Sequence, residues 1–378
     1  MGHLTNHNER WQLEDLKQRV PLVLLLERDI QLIKKGNKYW ACCPFHRERT
    51  PSFTIDASKN RYYCFGCQAS GDQFSWLQEY HHLDFSAARN ELMRLAGIDA
   101  DEWGKADPDH MKKRQAEIER ERDERDARAR RQKIELAKSI WQQCQPLAGS
   151  LAQTYLAARG IDYAATGSPP TLRFHPSLKH SDIGSHHPAM VAYIQGPNGE
   201  FCGIHRTYLS DDGQSKLKAI HPQTGEKFGS KKMLGAPWCG AIRMAKAGEV
   251  LAIGEGIETC LSARQSHKGL PVWAAMSLGN MAGEGDGVGA PHPSRAGVAL
   301  PSVNPNMERP GIVVPDNVRK IIILADNDNK DTDSAMCILT RAANRWRAEG
   351  REVLMALPPA GMDFNDLWLS LAQGSGVA

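Results

Sequence analysis

Four residues constrain this chain more tightly than anything else in it. Cys43-Pro44-Phe45-His46 is followed, after 17 intervening residues, by Cys64-Phe65-Gly66-Cys67. Two residues separate the ligands within each pair, so a tight turn can aim both side chains at one ion. Four nitrogen and sulfur ligands close a tetrahedral site and leave no position for water. Such a zinc site is structural, not hydrolytic. Cys42 adjoins the first pair, but in an extended segment its side chain points away from that of Cys43, so it reads as a bystander. The nine cysteines show no even disulfide spacing. With no secretion signal evident, they predict metal binding in a reducing cytoplasm. The apolar run Leu22 to Leu26 is far too short to span a membrane.

The ligands sit in a segment, residues 10–100, that reads as one small domain. Helix is expected around Leu13 to Leu26, interrupted at Pro21. Two hairpins follow, punctuated by Lys35-Gly36-Asn37 and Ser58-Lys59-Asn60. Asp72 is an expected N-cap, and a second helix runs from Ser86 to Ala96 and stops at Gly97. Residues 101–138 change character. From Lys112 to Lys138 there are 11 basic and 7 acidic residues and hardly any large apolar ones. Glu121–Arg125, Glu124–Arg128 and Asp126–Arg130 fall four apart with the acid first, which predicts a solvated helical linker.

Net charge over the whole chain is only +3, but it is unevenly spread. Residues 139–246 carry 11 Lys/Arg against 6 Asp/Glu, and residues 247–378 carry 11 against 15. A basic segment beside an acidic one suits an enzyme that holds phosphates with the first and metal ions with the second. In the basic part, helix is expected from about Ile140 to Arg159. The strands Met190–Gln195 and Phe201–Tyr208 follow, joined at Pro197-Asn198-Gly199. Residues 247–372 alternate strand and helix. The strands are Val250–Gly254, Val272–Met276, Ile321–Ala325 and Glu352–Ala356, and the helices are Ile257–Ser266 and Ser334–Glu349. This predicts a mostly parallel α/β sheet. The Gly/Pro-rich stretch Gly283 to Pro315 reads as a mobile surface loop. No Walker A loop is found; the glycine spacing at Gly225 to Lys232 is one residue short.

The zinc ligands, together with Thr50-Pro51-Ser52-Phe53 and Gly71-Asp72, resemble the zinc-binding domain of bacterial DnaG-type primases. The resemblance implies a ribbon that reads single-stranded template. Tyr62, Tyr63 and Phe65 are then candidates to stack on bases, and Arg47, Arg49, Lys59 and Arg61 to contact phosphate.

Glu255 follows the strand Val250–Gly254, and Asp326 and Asp328 follow the strand Ile321–Ala325. Ligands of α/β sheets gather at such carboxyl ends. Carboxylates converging there repel unless a divalent cation neutralises them, and oxygen ligands favour Mg2+ or Mn2+. A Glu at one strand end and Asp-x-Asp at another resemble a Toprim domain, over roughly residues 247–372. By that resemblance Glu255 is the acid–base glutamate and Asp326 and Asp328 bind metal. Asp363 and Asp366 match a further acidic motif, and Ser277-Leu278-Gly279-Asn280 matches the turn after the second strand. Asn329-Lys330-Asp331-Thr332-Asp333 departs from the usual short turn. Asp331, Asp333 and Glu258 read as helix-start acids. Basic elements before the Toprim segment resemble those of phage and mobile-element primases and offer Arg206, Lys218, Lys231 and Lys232 for template or nucleotide.

The expected fold is an α+β multidomain chain: a zinc ribbon (10–100), a charged helical linker (101–138), a basic mixed α/β middle domain (139–246) and a Rossmann-like Toprim domain (247–372). The expected function is primer synthesis on single-stranded DNA from nucleoside triphosphates by an RNA-polymerase-type nucleotidyltransferase, working with a separate helicase. Two rival readings stay open, a non-catalytic zinc/Toprim recombination mediator and a Toprim nuclease.

Overall fold

Pro21 divides the N-terminal helical stretch. Lacking a backbone N–H, it ends α1 (His7–Arg19) and precedes the first residue of α2 (Leu22–Leu26), whose Leu22, Val23, Leu25 and Leu26 are buried. The computed structural model describes residues 7–35, 38–48, 51–67, 69–98, 108–295, 298–329 and 331–372. The chain forms two compact units, Met1–Glu124 and Arg125–Ala378.

In the first unit β1 (Ile33–Lys35), β2 (Lys38–Ala41), β3 (Phe53–Asp56), β4 (Arg61–Cys64) and β5 (Ser70–Gly71) form one antiparallel sheet in sequential order. Gly36 and Asn37 of the first expected turn lie outside the described residues. At the second turn Asn60 has a φ of 49°, and its side chain accepts from Leu22 N–H and donates to the Lys17 carbonyl, tying the hairpin to the helices. Asp72 caps α3 (Gln73–Glu79), Asp84 caps α4 (Phe85–Ala96), and Gly97 ends α4 in the left-handed conformation. Between sheet and helices Phe53, Tyr62 and Trp76 are fully buried and in mutual ring contact. Each contributes roughly 2–3 kcal/mol of burial.

The charged segment is helical, α5 (Pro108–Gln143). On it Arg120 pairs with Glu124, the base preceding the acid, with both side chains exposed. Its last turns are apolar. Ala137 is buried, and Ile140 and Trp141 pack with Val191, Ile204 and Tyr208. The expected single helix from Ile140 to Arg159 is instead two. It breaks at Cys144, Pro146 enters the short strand β6 (Gln145–Pro146), and Ser150 caps a new helix, α6 (Leu151–Ala158).

Next come β7 (Leu172–Lys179), β8 (His186–Gln195), β9 (Phe201–Tyr208), the small ribbon β10 (Ala219–Ile220) and β11 (Lys227–Phe228), and β12 (Lys231–Gly235). An antiparallel sheet runs β12-β9-β8-β7-β6. The chain continues through β13 (Ile242–Arg243), β14 (Val250–Gly254), α7 (Ile257–Ser266), β15 (Val272–Ala274), α8 (Leu278–Ala282), β16 (Lys320–Leu324), α9 (Thr332–Ala348), β17 (Glu352–Ala356) and α10 (Phe364–Ala372). The second sheet of this unit runs β13-β15-β14-β16-β17, parallel except at β13. One core joins the two sheets: Leu172, Phe174 and Met190 cluster with Ala252, Cys260, Val272 and Leu324. β14 and β16 pair directly, with Gly254 opposite Leu324, so their carboxyl ends lie side by side.

The expected mobile loop, 283–315, is tied down. Arg345 donates to the carbonyls of Met281 and Ile312, Arg341 donates to that of Ser302, and Ile312 is fully buried. Among the described residues no helix is long and apolar enough to cross a membrane.

Candidate metal and nucleotide sites

The zinc candidates come from the turn after β2 and the turn at the end of β4. The ligand atoms of Cys43, His46, Cys64 and Cys67 all lie within 4.8 Å of one another. Cys43 and Cys67 sulfurs are 3.7 Å apart, and His46 Nδ1 is 3.8 Å from Cys64 Sγ. Gly66 is required by this packing, because a Cβ there would come within 2.6 Å of His46 Nε2. Burial pushes the Cys43 thiol up to about 12, with the adjacent thiols adding to the effect. Burial opposes ionisation of Cys64 too, but Ser52 Oγ and the N–H groups of Cys67 and Gly66 bring its thiol down to about 7. Three sulfur donors and one imidazole nitrogen so closely grouped fit zinc.

Glu48 supports this set and was not found in the sequence. Its Oε1 accepts from the N–H groups of Cys43 and Ser52, its Oε2 accepts from Ser52 Oγ, and Oε2 lies 3.3 Å from His46 Nε2. A carboxylate behind a ligating histidine orients the ring. Cys42 is exposed.

On the ribbon's sheet Tyr62 is 1% exposed and its hydroxyl donates to Glu79, so it is a core residue and not a stacking platform. Alternation along β4 explains this: Tyr62 and Cys64 face inward, Arg61 and Tyr63 outward. Tyr63 and the more exposed Phe65 form an outer aromatic cluster with Trp40, which stacks on Phe65 at 6.2 Å. Arg47, Lys59 and Arg61 are exposed; Arg49 lies outside the described residues.

In the second unit Glu255, Asp326, Asp328 and Asp363 line one cleft of about 310 Å³. Lys216, Lys231, His205 and Arg159 line the same cleft. The intervening Asn327 is turned aside: its side chain donates to the Pro358 carbonyl and its N–H to that of Met362. Thr259 donates to Asp326 Oδ1 at 3.1 Å. Burial, followed by the charges of Asp363, Glu255 and Asp328, holds the Asp326 carboxyl up to about 7 despite that hydrogen bond. Glu255 is also raised, chiefly by burial, with Lys231 opposing. Uncompensated carboxylates in a cleft are oxygen donors suited to a hard divalent cation.

Asp366 lies outside this lining. It and Asp363 cap α10 reciprocally, each accepting from the other's N–H. Asp331 caps α9 and pairs with His292 and Arg295, while Ser277 caps α8.

Of the four basic candidates only Lys231 lines the cleft. Arg206 is 8% exposed and donates to Met233 O and to the Tyr208 hydroxyl. Lys232 is paired with Asp182, and Lys218 is exposed outside the cleft lining. Period two along the strands separates them. Lys232 and Arg206 are register partners on one face, leaving His205 and Lys231 on the other. Lys216 lines the cleft though it was not a sequence candidate, and Glu258, read from sequence only as a helix-start acid, lines it too. Glu258 is no solvated first-turn acid: it is 4% exposed and held well below the usual carboxylate range, where Lys231, Lys216 and Tyr155 overcome the effect of its burial.

Residues 8–107 match the CHC2 zinc finger family and residues 290–373 the Toprim domain family. Residues 131–244 match a domain family of unknown function. The chain resembles the DnaG-type primases. It is 45% identical over 87 residues to a DNA primase of Pseudomonas putida, covering 23% of this chain and 13% of that one. To the DNA primase of Myxococcus xanthus it is 37% identical over 150 residues, covering 40% and 22%. To that of Escherichia coli K12 it is 31% identical over 153 residues, covering 40% and 24%. The matches thus span about a quarter or less of these curated relatives. Among solved structures, the zinc-binding and RNA polymerase domains of Aquifex aeolicus primase align at 17% identity and a TM-score of 0.33, covering 96% of this chain and 82% of that one. The primase fragment of the bacteriophage T7 primase-helicase aligns at 14% and 0.33, covering 58% and 69%.

Proposed function

We propose that this chain is a DNA primase, a nucleotidyltransferase that builds short primers on single-stranded template. One observation carries the reading: carboxylates at the adjoining ends of β14 and β16 share a single cleft with Lys216 and Lys231. In this reading Glu255, Asp326 and Asp328 hold Mg2+ or Mn2+. Bound there, the ion would offset negative charge developing on the triphosphate. Lys231 and Lys216 hold the phosphates, and Thr259 fixes the orientation of Asp326. The primer's 3′-hydroxyl attacks the α-phosphorus, pyrophosphate leaves, and Glu255, whose carboxyl is raised chiefly by burial, takes the hydroxyl proton in this reading. Residues 10–100 would act as the template-reading ribbon, 101–138 as a linker, 139–246 as the basic half of the polymerising centre and 247–372 as its acidic half. Tyr63, Phe65 and Arg61 supply stacking and phosphate contacts on the ribbon. A separate helicase opens the duplex in the cytoplasm.

The test is primer synthesis on defined single-stranded templates, with ribonucleotides and deoxyribonucleotides supplied separately. Asp326→Ala with Asp328→Ala should lose at least about 10³-fold in product. Full activity in that double variant rules out the metal assignment. A wild type that binds single strands but makes no product with either nucleotide class rules out polymerisation.

A further inference from the structure

Glu258 occupies the first turn of α7, where an acid ordinarily sits in solvent and serves the helix dipole. Here it is buried, and three elements converge on it. The Tyr155 hydroxyl of α6 donates to Oε1 at 2.6 Å, Lys216 Nζ lies 3.0 Å from Oε1, and Lys231 Nζ of β12 lies 3.4 Å from Oε2. Burying a carboxylate costs several kcal/mol unless its partners are well placed. Both ammonium groups that satisfy it also line the cleft beside Glu255, Asp326 and Asp328. The other basic groups that line the cleft are paired or neutral. Arg159 lies 3.9 Å from Asp363, and burial holds His205 down to about 4.

We propose that Glu258 is a positioning residue whose two carboxylate oxygens hold Lys216 and Lys231 as a paired anion receiver for the outer phosphates of a nucleoside triphosphate. The proposal rests on the primase reading above. Charge counting alone points the other way, since removing a negative group from an anion site should tighten binding. The geometry decides against it. Without Glu258 two ammonium groups stand side by side in a shielded cleft, repel each other and swing toward water, and the triphosphate must reorder them on binding.

The experiment measures binding of fluorescently labelled ATP and dATP in the presence of Ca2+, alongside thermal melts. Glu258→Gln should raise Kd by about tenfold, and Glu258→Asp should recover part of that loss. Lys231→Ala should weaken binding less in the Glu258→Gln background than in the wild type, because the two groups act together. Unchanged or tighter binding in Glu258→Gln overturns the proposal, as does a lowered melting temperature with Kd unaltered. Should Glu258→Gln not fold, Glu258→Asp carries the comparison on the same criteria. A wild type that binds neither triphosphate overturns the primase reading and this inference with it. Binding in the wild type with no difference in the variants overturns this inference alone.

Discussion

Tyr62 and Tyr63 are neighbours with opposite roles. The first is enclosed by Phe45, Phe53 and Trp76, and the second stands on the outer face beside Phe65. Tyr62→Ala should destabilise the ribbon by about 3–5 kcal/mol, read from chemical denaturation. Phe65→Ala should leave stability within about 0.5 kcal/mol. Its affinity for single-stranded DNA, measured by anisotropy, should fall by about 1–3 kcal/mol. Cys64→Ser should abolish stoichiometric zinc in elemental analysis and lower the melting temperature, since closed structural sites contribute folding energy directly. The zinc ligands were legible because their spacing is local. Which tyrosine faces inward was not, because the parity of a four-residue strand is set by the helices packed on it. The role of Glu258 was missed for a related reason: its partners Lys231, Lys216 and Tyr155 lie far off in the chain, the nearest 27 and the farthest 103 residues away, and only the fold brings them to it.

At the scale of elements, strong periodicity read well and short or interrupted pieces did not. Ile257–Ser266 and Glu352–Ala356 match their expected limits. β13, two residues long and antiparallel to its neighbour, has no sequence pattern to detect. The 283–315 segment looked mobile because glycine and proline dominate it, yet two arginines of α9 hold it from beneath. Arg345 is 1% exposed and bonded to two carbonyls and to Glu349. Arg345→Ala should cost about 3–5 kcal/mol, because it strips partners from buried groups. Limited proteolysis should then cut within 283–315 in the variant and spare that segment in the wild type.

For the second unit as a whole, the acidic cleft costs stability at neutral pH. Asp326 is held up to about 7 from an ordinary value of 3.8. An acid raised in the fold makes the native state bind more protons than the unfolded chain between those values. Stability therefore falls as pH rises from about 4 to about 7. In metal-free protein, Asp326→Asn should melt above the wild type at pH 8 and match it near pH 4. Added Mn2+ should raise the wild-type melting temperature at pH 8 more than the variant's. Scanning calorimetry with and without chelator reads both.

The turn that carries Asp326 and Asp328 is held by Asn327, whose backbone and side chain bond to residues 358, 361 and 362. Those partners belong to the connection leaving β17, beyond the last strand of the sheet. A recombinant version cut just after Ala356 would keep all three proposed metal ligands and still lose the brace that aims two of them. Anyone trimming this protein for expression should count that connection as part of the proposed metal site.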